Sequence, residues 1–425
     1  MKREAIAFII VSCLFLAANR IACALETQGY VKMNGFYSFT EGDLDWRVVV
    51  DASATQDLGR GYFLNAELLL KYQDENNIRP FRVQELSLQG VQVPWEETDF
   101  RVGLLALTWG ASDVMSPVDV VNPRPFSRGV SEDALKDKIP VPALDVEWYF
   151  SSSWSLELLY QPYFVANFVP DFVERQMLLP ALVPFGVDPT KTEIELAREE
   201  PSVGFLSPIW ALRTRGNIGS TDVALVFYQG YFLSAFPRKT VITFLPDGTS
   251  EVSATLGYPR RSILGLEFQG TPSGIEGVTF RGDVAAIFPE SWTNVVTIQD
   301  PSSSSVTTIP VFDTPYLKAS LGVDYTHENH YVNLAYLLGN PWEEGDSVSS
   351  YLYAHYDWKS DDEKWNPFVN SFLSLEDGSM VNIIGTQYKP RDNWNVSFAL
   401  SFSSGAPGSR LNVGDGVSLE VKYSF

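Results

Sequence analysis

The last ten residues, GVSLEVKYSF (416–425), place Val417, Leu419, Val421, Tyr423 and Phe425 on one side of an extended chain. Ser418, Glu420, Lys422 and Ser424 fall on the other side. Successive strand side chains point to opposite faces, so this is a strand with one apolar and one polar face. Its apolar face runs to the terminal residue, which is aromatic. A strand that ends a chain in this way needs a partner. A sheet that returns on itself would find one in the first strand-like stretch, QGYVKMNGFY (28–37).

The same alternation recurs along most of the chain. Tyr62, Leu64, Ala66, Leu68, Leu70 and Tyr72 oppose Asn65, Glu67 and Lys71. Val278, Phe280, Val284 and Phe288 oppose Thr279, Arg281 and Asp283, and Leu317, Ala319, Leu321, Val323 and Tyr325 oppose Lys318, Ser320 and Asp324. Near the end, Trp394, Val396, Phe398, Leu400 and Phe402 oppose Asn395, Ser397 and Ser401. Many of these runs are about nine to thirteen residues long, which suits a tilted membrane-crossing strand better than the five or six residues usual in a sandwich.

The connections decide between the two architectures. Eighteen candidate strands are separated by short polar stretches after even-numbered strands, among them QDLGR, PWEET, NIGS, HEN and SDDE. The long connections follow odd-numbered strands: 109 to 141, 164 to 204, 233 to 259, 289 to 314, 339 to 349 and 404 to 415. Short turns on one side and long loops on the other characterise a transmembrane antiparallel β-barrel with both termini in the periplasm. The fold class expected is therefore all-β, a barrel of 16 to 18 strands with 18 favoured. Lipid offers no hydrogen bonds, which is why such a sheet must close. Outward residues should be apolar, with tyrosines such as Tyr62 and Tyr72, or Tyr316 and Tyr325, at the two headgroup levels. Inward residues should meet water, and alternation assigns Glu67, Lys71, Glu267, Arg281, Asp283, Lys318, Asp324, Glu420 and Lys422 to the lumen.

The N-terminus, MKREAIAFIIVSCLFLAANRIACA, has Lys2 and Arg3 before an apolar run and small residues around Cys23. It reads as a secretory signal cleaved after residue 24, leaving 25–425 as a single barrel domain. Both cysteines, Cys13 and Cys23, lie within it, so the mature chain would have no disulfide and no thiolate metal site. The formal charge of −21 becomes two units more negative when Lys2, Arg3, Arg20 and Glu4 are removed. Nucleic acid is an unsuitable partner for such a chain, because phosphate binding needs clustered Lys and Arg.

Residues 105–150, LALTWGASDVMSPVDVVNPRPFSRGVSEDALKDKIPVPALDVEWYF, carry the most distinctive pattern. Trp109, Gly110, Asp113, Asp119, Asn122 and Pro123 make it similar to an uncharacterised family of Gram-negative outer-membrane, porin-like β-barrel proteins. Members often follow Asn-Pro with an acid, where this chain has Arg124. The resemblance implies a porin-like barrel and does not name a substrate. The stretch 109–141 is the third long connection, and folded inward it would constrict a pore with Asp113, Asp119, Glu132 and Asp133 set against Arg124, Arg128, Lys136 and Lys138. The other reading is an external loop with solvated charges. The final Tyr423 and Phe425 resemble the signal read by the machinery that assembles outer-membrane barrels.

In DPTKTEIELAREE (188–200), Asp188 or Thr190 could cap a short helix begun by Pro189. Its acids Glu193, Glu195, Glu199 and Glu200 could meet cations that bridge lipopolysaccharide, or simply be solvated. The histidines available for catalysis are His327, His330 and His355. The first two fall in a short turn and the third on the lumen face, so no enzyme is expected. There is no phosphate-binding glycine loop and no histidine metal pair, and no cofactor is called for. The expected function is passive diffusion of small hydrophilic solutes through an outer-membrane channel embedded in lipid and lipopolysaccharide, with homo-oligomerisation left open. The alternatives are a loop-plugged barrel that takes up an apolar ligand, and a structural or adhesive barrel.

Overall fold

A computed structural model describes residues 26–40, 42–73, 81–126, 138–202, 208–406, 408–411 and 414–425. The expected signal segment 1–24 lies outside these residues. In chain order the strands are β1 (Glu26–Ser38), β2 (Leu44–Gly59), β3 (Tyr62–Gln73), β4 (Phe81–Gly90), β5 (Thr98–Leu105), β6 (Val141–Ser151), β7 (Trp154–Gln161) and β8 (Thr192–Glu199). They continue with β9 (Ile209–Ile218), β10 (Thr221–Tyr231), β11 (Phe236–Phe244), β12 (Ser250–Gly257), β13 (Arg260–Gly270), β14 (Val278–Pro289), β15 (Trp292–Asp300) and β16 (Ser303–Phe312). The last are β17 (Tyr316–His327), β18 (His330–Leu338), β19 (Ser350–Trp358), β20 (Trp365–Ser374), β21 (Met380–Arg391), β22 (Trp394–Ser404) and β23 (Gly416–Ser424).

Eighteen of these strands, all except β8, β11, β12, β15 and β16, form one antiparallel sheet in which each pairs with its neighbours along the chain. The sheet closes where β23 pairs with β1, in a register that sets Lys32 opposite Lys422 and Tyr37 opposite Val417. At one end the connections are short, from the two-residue turn between β2 and β3 to the seven residues between β13 and β14. All connections of eleven residues or more lie at the opposite end. No helix among the described residues is long and apolar enough to cross a membrane.

Outward side chains are apolar and exposed, for example Leu64, Leu225, Leu264, Leu334, Phe398 and Leu419. At the short-turn end they become aromatic and pair across strands. Trp365 meets Tyr388 with ring centroids 4.4 Å apart and Trp394 meets Tyr423 at 5.0 Å, and along β6 Trp148 meets Phe150 at 5.6 Å. Tyr325 belongs to this outer surface. Tyr316 does not, contrary to the expectation from sequence: it sits nine residues earlier, on the opposite face, and its hydroxyl donates inward to Glu344.

Three of the long connections are not irregular loops. They contribute β8, β11, β12, β15 and β16 to a second sheet outside the barrel, ordered β16-β15-β11-β12-β8. Two of its pairings, β11 with β15 and β12 with β8, are parallel. One helix, α1 (Asp171–Leu182), packs Leu178 and Leu182 onto Ile194, Ile242, Val252 and Val296 of this sheet. The helix expected from Pro189 is a single 3-10 turn over Pro189–Lys191, which Asp188 does cap by accepting the Thr190 N–H. The chain then enters β8, because Thr192, Ile194 and Leu196 alternate at the period of a strand.

Candidate functional site

Among the described residues, the interior of the barrel is filled most densely on one side. Between β5 and β6 the chain turns into the lumen. Leu107, Trp109, Val118 and Val121 pack there with Leu159 of β7, Ala211 of β9, Tyr228 of β10, Ile263 of β13 and Ile287 of β14, all nearly inaccessible to water. Burying side chains such as Leu107, Val118 and Val121 contributes about 1.5–3 kcal/mol each, so packing fixes the position of this segment and polar contacts refine it.

The motif residues are those refinements. Asn122 is buried, accepts the Leu107 N–H at 2.8 Å, and donates to the carbonyls of Leu105 (2.8 Å) and Ile139 (3.0 Å). One amide thus joins the entry and exit of the inserted segment. Pro123 accepts the Ile139 N–H at 2.7 Å. Trp109 donates its indole N–H to Glu157 on β7 at 3.0 Å. Gly110 has φ +101°, and a Cβ there would lie 2.0 Å from Ser116 Oγ, so only glycine lets the backbone come this close. The next two amides, of Ala111 and Ser112, both donate to Asp283 on β14 at 2.9 Å. Asp113 pairs with Arg281 at 2.5 Å, and Arg281 also pairs with Asp324.

Asp119 is the centre of a second cluster. It accepts from the Arg124 guanidinium at 2.7 Å, from Lys138 Nζ at 2.6 Å and from the Trp109 N–H at 3.2 Å. Lys138 spends its remaining hydrogens on the Leu107 carbonyl at 2.5 Å and Thr108 Oγ1 at 3.0 Å. Burial pushes the Lys138 ammonium below its ordinary value, and the adjacent Asp119 acts in the opposite sense. The charges expected to face each other across a constriction are therefore, for Asp119, Arg124 and Lys138, paired within one segment. Arg128, Glu132, Asp133 and Lys136 lie outside the described residues.

The lumenal charges divide in the same way. Glu267, Asp283, Lys318 and Asp324 point inward but do not meet water, as their exposures of 3%, 0%, 5% and 3% show. Glu267 binds Arg213 at 2.5 Å. Lys318 donates to the carbonyls of Asn340 at 2.8 Å and Glu343 at 2.9 Å. Arg281 is taken up by Asp113 and Asp324. These groups anchor the inserted segment and its neighbours. By contrast, Glu67 and Lys71 on β3 and Glu420 and Lys422 on β23 are themselves only half-buried. Glu420 pairs with Lys32 at 3.3 Å, and the Lys422 ammonium sits 4.2 Å from the centre of the Tyr30 ring. Most inward side chains from β1 to β3 and from β20 to β23 are half-buried, with Val49, Leu69, Ser374 and Ala399 buried, and among the described residues that arc bounds the less filled part of the lumen.

Sequence reasoning missed Glu157, Arg213, Asn340 and Glu343, whose roles depend on what the inserted segment touches. A signal was present: the supposed water face of β9, β10, β13 and β14 carries Ala211, Val226, Tyr228, Ile263 and Ile287. Inward apolar residues on adjacent strands mark a wall that something covers. His355 faces inward as expected and binds Asp357 at 2.8 Å and Asn370.

No protein-family model matches the sequence, and no curated protein matches it either. Among solved structures, it is similar to two engineered variants of the porin of Rhodopseudomonas blastica. One is 9% identical with a TM-score of 0.45, the other 10% identical with a TM-score of 0.43. Both comparisons cover 94% of this chain and 100% of the other. At that degree of similarity, strand number and closure rest on this chain's own pairing.

Proposed function

We propose that the protein is an outer-membrane channel through which small hydrophilic solutes diffuse passively along the unfilled side of its barrel. The observation that carries this reading is the asymmetry of the interior. A wedge of chain occupies the side lined by β7, β9, β10, β13, β14 and β17, while most inward polar residues of β1 to β3 and β20 to β23 are only half-buried among the described residues. A barrel of this strand number encloses more space than its own side chains fill. The apolar outward face and the aromatic belt at the short-turn end fit a lipid environment. In this reading residues 1–24 direct export, Tyr423 and Phe425 serve assembly, and residues 109–126 narrow the passage with Asp113, Asp119, Arg124 and Lys138 holding that segment in place.

Refolded protein in planar bilayers tests the proposal. Discrete conductance steps are expected, and bilayers that stay silent under conditions where the folded barrel inserts would refute it. The acidic balance of the chain adds a mild preference for cations. A reversal potential showing anion preference in a salt gradient would remove that part of the reading.

A further inference from the structure

The unfilled side of the lumen is chemically divided. On β23, β1, β2 and β3 its lining is ionic, with Lys32, Asp51, Glu67, Lys71, Glu420 and Lys422 all turned inward. Across the inserted segment, along β18 to β21, aromatic rings and amides outnumber the charged groups. A cavity of about 760 Å³ lies there between Asp113–Ser116 and the barrel wall. That volume falls within the roughly 300–1,000 Å³ typical of small-molecule sites.

Its wall alternates rings and amides. Tyr353, Phe368, Phe372 and Trp342 contribute aromatic surface, and Asn370 and Gln387 contribute amides. Asn370 Oδ1 is engaged by the Tyr353 hydroxyl at 3.3 Å and by His355. The amide N–H groups of Asn370, and both ends of the Gln387 amide, have no protein partner among the described residues. Charged groups on the cavity already have partners: Asp113 has Arg281, Asp357 is hydrogen-bonded to His355, and Asp119 lies between Arg124 and Lys138.

An ionic solute would lose water here and find the fixed charges already engaged by protein groups. A neutral polyhydroxylated solute meets complementary chemistry. Its hydroxyls donate and accept, as amides and phenols do, and its C–H faces pack on aromatic rings. We propose that this cavity is a recognition tract for neutral polyhydroxylated solutes, the chemistry of a sugar. The inference rests on the channel reading and names its substrate class.

The test uses the full mature chain in planar bilayers, with glucose, maltose or a polyethylene glycol of matched hydrodynamic radius added to one side. A saturable closure of the conductance steps by a sugar, absent with the polymer, is expected. Gln387→Leu and Trp342→Ala should each raise the half-saturating sugar concentration about ten-fold, the size of effect that one hydrogen bond or one ring face supplies. Channels that conduct but are attenuated equally by sugar and polymer would overturn the recognition tract and leave the channel standing. Channels whose sugar block is unchanged in both variants would place recognition elsewhere and overturn it too. Absence of any conductance would overturn both readings.

Discussion

Phe425 and Gly29 close the barrel. Each donates its backbone N–H to the other's carbonyl, at 2.9 Å and 3.0 Å, and the Phe425 ring lies over the glycine. A Cβ on residue 29 would come within 2.8 Å of that ring and 2.3 Å of the Asp51 carbonyl oxygen. Gly29→Val should therefore destabilise the seam by about 1–3 kcal/mol, as overpacking does elsewhere. The measure is the urea midpoint of the refolded protein, read alongside the fraction that migrates as a compact species before heating. A variant as stable as the parent would mean that the ring over the glycine does not seat the seam.

Asn122 makes three buried hydrogen bonds to backbone groups that have no water to replace it. Asn122→Ala should cost about 3 kcal/mol or more, since each orphaned group carries its own desolvation penalty. Limited proteolysis should then cut within 105–126 in the variant and not in the parent.

Asp283 holds the inserted segment through the amides of Ala111 and Ser112. Bonds to a charged acceptor are worth about 1.5–3 kcal/mol each. In Asp283→Ala the tip of the segment should leave the wall. If the channel reading holds, single-channel current becomes noisier and its mean level changes. Recordings indistinguishable from those of the parent would show that this anchor does not shape the passage.

Asp377, in the connection between β20 and β21, accepts the Arg410 N–H at 2.8 Å and both the N–H and hydroxyl of Ser379 at 3.0 Å and 2.6 Å. The Arg410 amide first, and then Ser379, hold its carboxyl below the ordinary 3.8. The sign follows directly: with the folded value depressed, its contribution is present above about pH 4 and lost as pH falls through the folded value. Amide exchange at Arg410 should thus accelerate in acid beyond the intrinsic trend, and Asp377→Ala should remove that excess.

Ile242 is wholly buried in the outer sheet against α1. Ile242→Ala should destabilise that sheet by about 2–5 kcal/mol while the barrel strands keep their protection, because Ile242 belongs to a hydrophobic cluster distinct from that of the barrel. Hydrogen exchange resolved by segment distinguishes this from global loss of structure.

The alternation of a half-buried strand made most barrel strands legible, the stretches near 45 and 80 alternating poorly and leaving the count between 16 and 18, and the parity of the connections ordered them up and down. The outer sheet escaped because period two says that a segment is a strand without saying which sheet it joins. SSSVTTIPVF (303–312) lies in a long connection and carries no clear apolar face. Alternation likewise turned Asp283 and Lys318 inward, but what covers them is set by a contact 172 residues away in one case and by the connection after β18 in the other. Tyr316 was misassigned by one position, which in a strand is a change of face. Of the inserted segment, the residue types were visible and their partners were not.

The outer sheet also imposes an order on assembly. Its strands come from three successive connections, and its parallel pairings join chain segments that leave the barrel at different places. The three connections can meet as one sheet only when the wall from β7 to β17 has been laid down beneath them. Formation of this layer is consequently a late event, dependent on long-range contacts and slow for that reason. Once formed, it clasps three arches that the barrel alone would leave independent, so a single cut in any one of them should loosen the other two.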